Sequence, residues 1–148
     1  MSEHKAKIEW KRTSPDFDYE TYNRDHSWSF DGGIKVRAAA APEFKGPQDC
    51  VDPEEALVAA TAGCHMLTFL AIASKKKLTV EKYEDNAVGF LEKNEEGKLA
   101  VTRITLSPKV TFASGVSVDK GKLEALHASA HEHCFIANSI KASVKVNL

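Results

Sequence analysis

Cys64 and Cys134 each stand beside histidine, in the runs Gly63-Cys64-His65-Met66 and His131-Glu132-His133-Cys134, and no other strong catalytic motif occurs in the 148 residues. A thiol reacts as its thiolate, so a cysteine does covalent chemistry only where its surroundings lower its pKa. A peroxide-reducing or thiol-transfer enzyme needs one thiol held in that form and a second able to reach it. A redox role for this pair is therefore the first reading to test. Its plain rival is packing, because free cysteine is among the most buried residue types. A third chemistry is also open: the nitrogens of His131 and His133 and the sulfurs of Cys134 and Cys64 are zinc-type ligands, although their spacing fits no zinc-finger pattern, and no metal or other cofactor is expected. The remaining thiol, Cys50, reads as a loop cysteine without catalytic role.

The element that must carry Cys64 is the most clearly written in the chain. Asp52 caps a helix, Pro53 suits its first turn, and Glu55 completes the capping-box spacing. Leu57, Ala60, Cys64, Leu67 and Ala71 repeat at three- and four-residue intervals, which places Cys64 on the apolar stripe. Lys75-Lys76-Lys77 suits the negative end of the helix dipole. The small residues Ala56, Ala59, Ala60, Ala62 and Gly63 leave room for another backbone to approach. A second helix begins near Val118-Asp119, with Asp119 as cap and Leu123, Leu126, His127 and Ala130 on one face, and ends about Cys134.

Strands account for the rest. Lys7-Ile8-Glu9-Trp10-Lys11 alternates as a half-buried strand does, and His26 to Phe30 and Ile34 to Ala38 flank the turn Asp31-Gly32-Gly33. Ala39 to Asp49, with Pro42, Gly46 and Pro47, reads as a surface loop. Two long strands, Glu81 to Lys93 and Leu99 to Phe112, are joined at Asn94-Glu95-Glu96-Gly97-Lys98, and Ala142 to Leu148 forms a last strand. The length suits one domain, 1–148. Twenty basic and 21 acidic residues nearly cancel and the basic ones are scattered, which argues against nucleic acid as a partner. The N-terminus is polar and no apolar stretch reads as approaching bilayer length, which argues against a membrane and places the chain in the cytoplasm. Three cysteines in such a chain speak against a structural disulfide framework.

From Tyr22 to Leu148 the chain resembles the OsmC/Ohr family, the osmotically inducible and organic hydroperoxide resistance proteins. The likeness rests on the Asp-Gly hairpin, the Pro-rich loop, the Asp-Pro-Glu helix opening with a cysteine ten residues after the glutamate, the long-stranded hairpin, and a second helix running into a cysteine. It implies an α+β fold, antiparallel sheets around a cysteine-bearing helix, in an intertwined homodimer with active sites at the subunit interface. It further implies a thiol-dependent peroxidase that reduces organic hydroperoxides, with Cys64 as peroxidatic and Cys134 as resolving cysteine. A dithiol or a lipoylated protein would serve as reductant. By position, Arg24 matches the family's early arginine and Glu54 its helix-opening glutamate.

These assignments have a physical content. Arg24 would supply a permanent cation to hold Cys64 as thiolate, with Arg37 as a competing candidate beyond the turn. Glu54 lies about three helical turns from Cys64, too far to touch the sulfur, so its task would be to grip the arginine fork in a bidentate pair; alternatively it only favours the helix N-terminus. After attack, Cys64 would become a sulfenic acid and Cys134 would condense with it to a disulfide. Met66, Leu67, Phe69 and Leu70 would favour bulky organic peroxides. His65, about 100° round the helix from Cys64, reads as a packing or hydrogen-bonding residue rather than a base, and His26 as a strand residue near Arg24. Phe135 stands where many members have proline, and His65-Met66 departs from the aromatic pattern of the Ohr branch, so the resemblance points to OsmC or an OsmC-like branch. A ligand-binding or redox-sensing protein on the same scaffold, without turnover, is the alternative function.

Overall fold

Gly32 and Gly33 adopt φ of 89° and 84°, backbone that side chains rarely tolerate, and so turn the first hairpin where the sequence places it. The computed structural model describes residues 1–148, an α+β chain of two α-helices and eight strands. It forms two compact units, Met1–Ala56 and Leu57–Leu148. In the first, β1 (Ala6–Glu9), β2 (His26–Phe30) and β3 (Lys35–Ala38) make an antiparallel sheet in that order. β1 stops two residues short of the predicted strand, and the Trp10 indole instead donates to the Asn23 carbonyl (2.8 Å). The predicted loop contains one 3-10 turn, Pro42–Phe44. Gly46 lies so close beneath it that a Cβ there would fall 1.5 Å from the Ala40 carbonyl oxygen.

Helix α1 (Pro53–Lys75) begins at the end of this unit with the predicted box closed on both sides. The Glu55 amide donates to Asp52 Oδ1 (2.7 Å) and the Asp52 amide to Glu55 Oε2 (3.2 Å). Its buried face is not the predicted stripe. Thr61, His65, Phe69 and Ala73 are buried at four-residue spacing, whereas Ala60, Leu67 and Ala71 are exposed and Leu57 and Cys64 half-buried. The helix is apolar on nearly every side, so periodicity cannot select the face that packs. For the same reason α1, at 23 residues and roughly 34 Å, is long and apolar enough to cross a membrane by length and composition, contrary to the sequence reading. Its Phe69 and Ala73 lie instead in a protein core.

In the second unit the two predicted long strands are each broken. β4 (Val80–Asp85) and β5 (Val88–Lys93) replace the first, and β6 (Leu99–Leu106) and β7 (Pro108–Phe112) the second. β4 pairs with β7 as one antiparallel sheet; β5 and β6 pair antiparallel in another, which β8 (Ser143–Val146) joins in parallel to β6. The breaks fall at Asn86-Ala87 and Ser107, where Asp85 Oδ1 accepts from the Ser107 amide (2.7 Å). α2 (Lys120–Glu132) is capped by Asp119, which accepts from the Lys122 amide (2.8 Å), and buries Leu126, His127 and Ala130 as its pattern predicts.

Two cores result. Phe69 and Ala73 of α1 pack with Leu78, Leu126 and Ala130, against β4 and β7. Leu57, Val58 and Ala62 of α1 pack on Ile104, Leu106 and Ala142, against β6 and β8. At the second, β5 approaches α1 so closely that a Cβ on Gly89 would lie 2.4 Å from Val58 Cγ2.

Candidate active site

Cys64 and Cys134, seventy positions apart, are brought together as free thiols. α1 presents Cys64, half-buried. After α2 ends, the chain turns, and Cys134, fully buried, sits where its thiol reaches toward the Cys64 sulfur. The same turn aims the amides of Phe135 and Ile136 at Cys64, and Ala137 N–H donates to Cys134 Sγ (3.4 Å). Burial raises the Cys64 pKa, but the Ile136 amide, the Cys134 thiol and the Phe135 amide oppose it and the net shift is downward; the Thr68 hydroxyl gives its proton to the Cys64 carbonyl (2.8 Å). Each donor to the sulfur stabilises the thiolate more than the thiol. None of these groups is a cation, so the lowering does not take the form that sequence reasoning demanded. Cys134 moves the other way: burial raises it, and although the Ala137 amide opposes this, the neighbouring Cys64 raises it further. The pair is asymmetric, with the accessible sulfur favoured as thiolate and the buried one as thiol.

Arg24 lies in the first unit, only 8% exposed. Its guanidinium donates to the Tyr22 carbonyl (2.6 Å) and to the Tyr19 carbonyl, and stacks over the Tyr22 ring at 3.7 Å. The fork predicted with Glu54 is not formed: the guanidinium donates to those two carbonyls and makes no ion pair with Glu54. Arg24 lines a cavity of about 390 Å³ with Trp10, Phe17, Tyr22 and His26. His26 accepts from the Trp28 indole at Nε2 (2.8 Å), which leaves Nδ1–H to donate to the Arg24 carbonyl (2.9 Å). The competing Arg37 pairs with Asp49 (2.9 Å) on the surface, and Cys50, half-buried beside that pair, has its pKa raised chiefly by burial.

The zinc-type set does not converge: no three ligating side chains gather, and His133 Nδ1 bonds the Ser129 carbonyl instead (2.9 Å). His65 proves to be a hydrogen-bonding residue. It is buried with His127 of α2, their Nε2 and Nδ1 atoms 3.0 Å apart and their rings parallel to within 2°. No sequence signal announces a pair 62 residues apart.

The fold has its counterpart in known proteins. The model of the OsmC-like protein family matches residues 46–148, and the chain belongs to that family. Over 99% of both chains it is 46% identical to an OsmC-like protein of unknown function from Vibrio cholerae, whose structure superposes with a TM-score of 0.95. It is 25% identical over 128 residues, 85% of each chain, to the uncharacterized protein YmaD of Bacillus subtilis. The organic hydroperoxide resistance protein OhrB of the same organism shares the fold, with a TM-score of 0.68, 21% identity and 97% of each chain covered.

Proposed function

We propose that this protein is a thiol-dependent peroxidase for organic hydroperoxides. The observation that carries the reading is the asymmetric thiol pair, since a nucleophile favoured as thiolate beside a buried thiol is what a two-cysteine cycle requires. The Cys64 thiolate attacks the outer peroxide oxygen, the O–O bond breaks, and the alkoxide leaves and takes a proton, giving Cys64 sulfenic acid and an alcohol. Cys134 then displaces hydroxide from that sulfur, so that a disulfide and water form. A dithiol, free or on a lipoylated protein, reduces the disulfide by two electrons. On the family resemblance alone we assign Arg24 as a cation for the Cys64 thiolate; Glu54 is left to favour the α1 N-terminus, since its expected pair with Arg24 is not formed, and the setting is the cytoplasmic oxidative-stress defence the sequence suggests.

We assign the assembly to a homodimer on similar grounds. Ala60, Gly63, Leu67 and Ala71 leave an uncovered apolar stripe on α1 beside Cys64, with Leu67 65% exposed and open space where a Gly63 side chain would stand. A second copy of an uncharged helix face is the partner that such a surface fits.

Steady-state reduction of cumene hydroperoxide with dithiothreitol tests the enzyme. Turnover that Cys64→Ser abolishes supports it. A wild-type rate equal to that of the variant leaves the alternative, a ligand-binding or redox-sensing protein without turnover, which the aromatic cavity at Arg24 favours.

A further inference from the structure

His65 directly follows Cys64 on α1, and His127 precedes Cys134 by seven positions on the chain of α2. Their contact is the one side-chain hydrogen bond linking the two helices. It lies in an aromatic stack: the His127 ring is 4.4 Å from Phe69, itself 5.6 Å from Tyr83. His65 and His127 are 1% and 2% exposed, and their outer atoms, His65 Nδ1 and His127 Nε2, have no partner. Whichever way the shared proton lies, one outer nitrogen is an orphaned donor and the other an orphaned acceptor. Two apolar residues would fill this space without that cost, so packing alone does not account for the pair. What a directed 3.0 Å bond adds over apolar contact is a fixed distance and rotation between α1, which carries Cys64, and α2, which leads into the turn that carries Cys134.

We propose that His65 and His127 are a positioning pair, whose hydrogen bond fixes α2 on α1 so that the Cys134 thiol and the Phe135 and Ile136 amides stay aimed at the Cys64 sulfur. The idea rests on the thiol-pair reading of the site but not on turnover. Hydrogen bonds to sulfur are long and weaken steeply with misalignment, so a small drift of the turn after α2 would return Cys64 toward ordinary thiol behaviour.

Replacement chemistry separates positioning from packing. Asparagine places a polar atom near the position of the histidine Nδ1 that His127 uses, and glutamine near the Nε2 that His65 uses. His127→Asn and His65→Gln therefore keep the tie, while His127→Leu and His65→Leu keep apolar bulk and lose it. The readout is the pH dependence of iodoacetamide alkylation at Cys64 in a Cys50→Ser background, followed by mass spectrometry of the Cys64 peptide. The Asn and Gln variants are expected to titrate like the parent. The Leu variants are expected to titrate about one pH unit higher, a tenfold loss of thiolate at fixed pH. Parental Cys64 titration in folded Leu variants overturns the proposal. If a single Leu variant does not fold, His65→Leu with His127→Leu, which orphans neither ring, is read against the same two outcomes. The assay contains no peroxide, so a shifted titration in a protein without peroxidase turnover upholds the positioning pair while removing the enzyme.

Discussion

Acidification should destabilise this fold well above the pH at which its carboxylates titrate, and the His65–His127 pair sets how much. Burial lowers the pKa of both rings from 6.5 to about 4, His131 adding to the effect on His65 and His65 to that on His127. The groups facing the pair offer little relief: Tyr83 is held neutral by burial, His131 adds positive charge beside His65, and Glu124, on the cavity that His127 lines, is already paired with Lys120. The unfolded chain takes up protons near 6.5, and the folded chain resists until about 4. Between these values the unfolded state binds more protons, so stability falls as pH falls through this window and is fully present above it. From pH 7.5 to 5.0 each ring costs about 2 kcal/mol, and the pair about 4. Urea unfolding by circular dichroism at both pH values, at one fixed protomer concentration, measures this. His127→Asn, which keeps the bond and cannot titrate, should lose about half the pH dependence. An equal pH dependence in wild type and His127→Asn would refute the reasoning, because the protons would then be taken up elsewhere.

Cys134→Ser should leave the first attack intact but strand Cys64 as sulfenic acid, which excess peroxide carries to sulfinic acid; intact-protein mass spectrometry would show two added oxygens absent from wild type. Gly89→Ala should destabilise by about 1–3 kcal/mol through the clash with Val58, and Val58→Ala in the same chain should recover much of it, as a double-mutant cycle of urea midpoints would show. Leu67→Glu should convert a dimer to monomers in light scattering, whereas an unchanged mass would place α1 outside any interface.

What could be read from the sequence was local. The capping box of α1, the Asp119 cap and the glycine turn at Gly32-Gly33 each depend on a few adjacent residues, and each is present where the spacing places it. The buried face of α1 was not legible, because a helix apolar almost all round has no preferred side until its neighbours are known. The breaks in the two long strands fall beside Asn86 and Pro108, and Pro108 was the available signal. For the site, chemistry marked the two cysteines and family resemblance paired them; the amides of Phe135 and Ile136 that favour the thiolate carry no side-chain signature and could come only from the fold. Arg24 was singled out by its order in the chain, and the carbonyls that occupy its guanidinium are likewise invisible in residue types.

The split ribbon has a bearing on how the reactive helix can work. Its outer half grips α1 around Phe69 and Ala73 and its inner half around Leu57 and Val58, leaving Cys64 in the span between two anchorages. With Ala62 packed on one side of Cys64 and His65 tied to His127 on the other, the helix cannot easily yield at the sulfur, so a change from thiol to oxidised sulfur to cross-link is left to the turn that carries Cys134. Oxidation should therefore leave slow amide exchange along α1 in place while the turn after α2 rearranges.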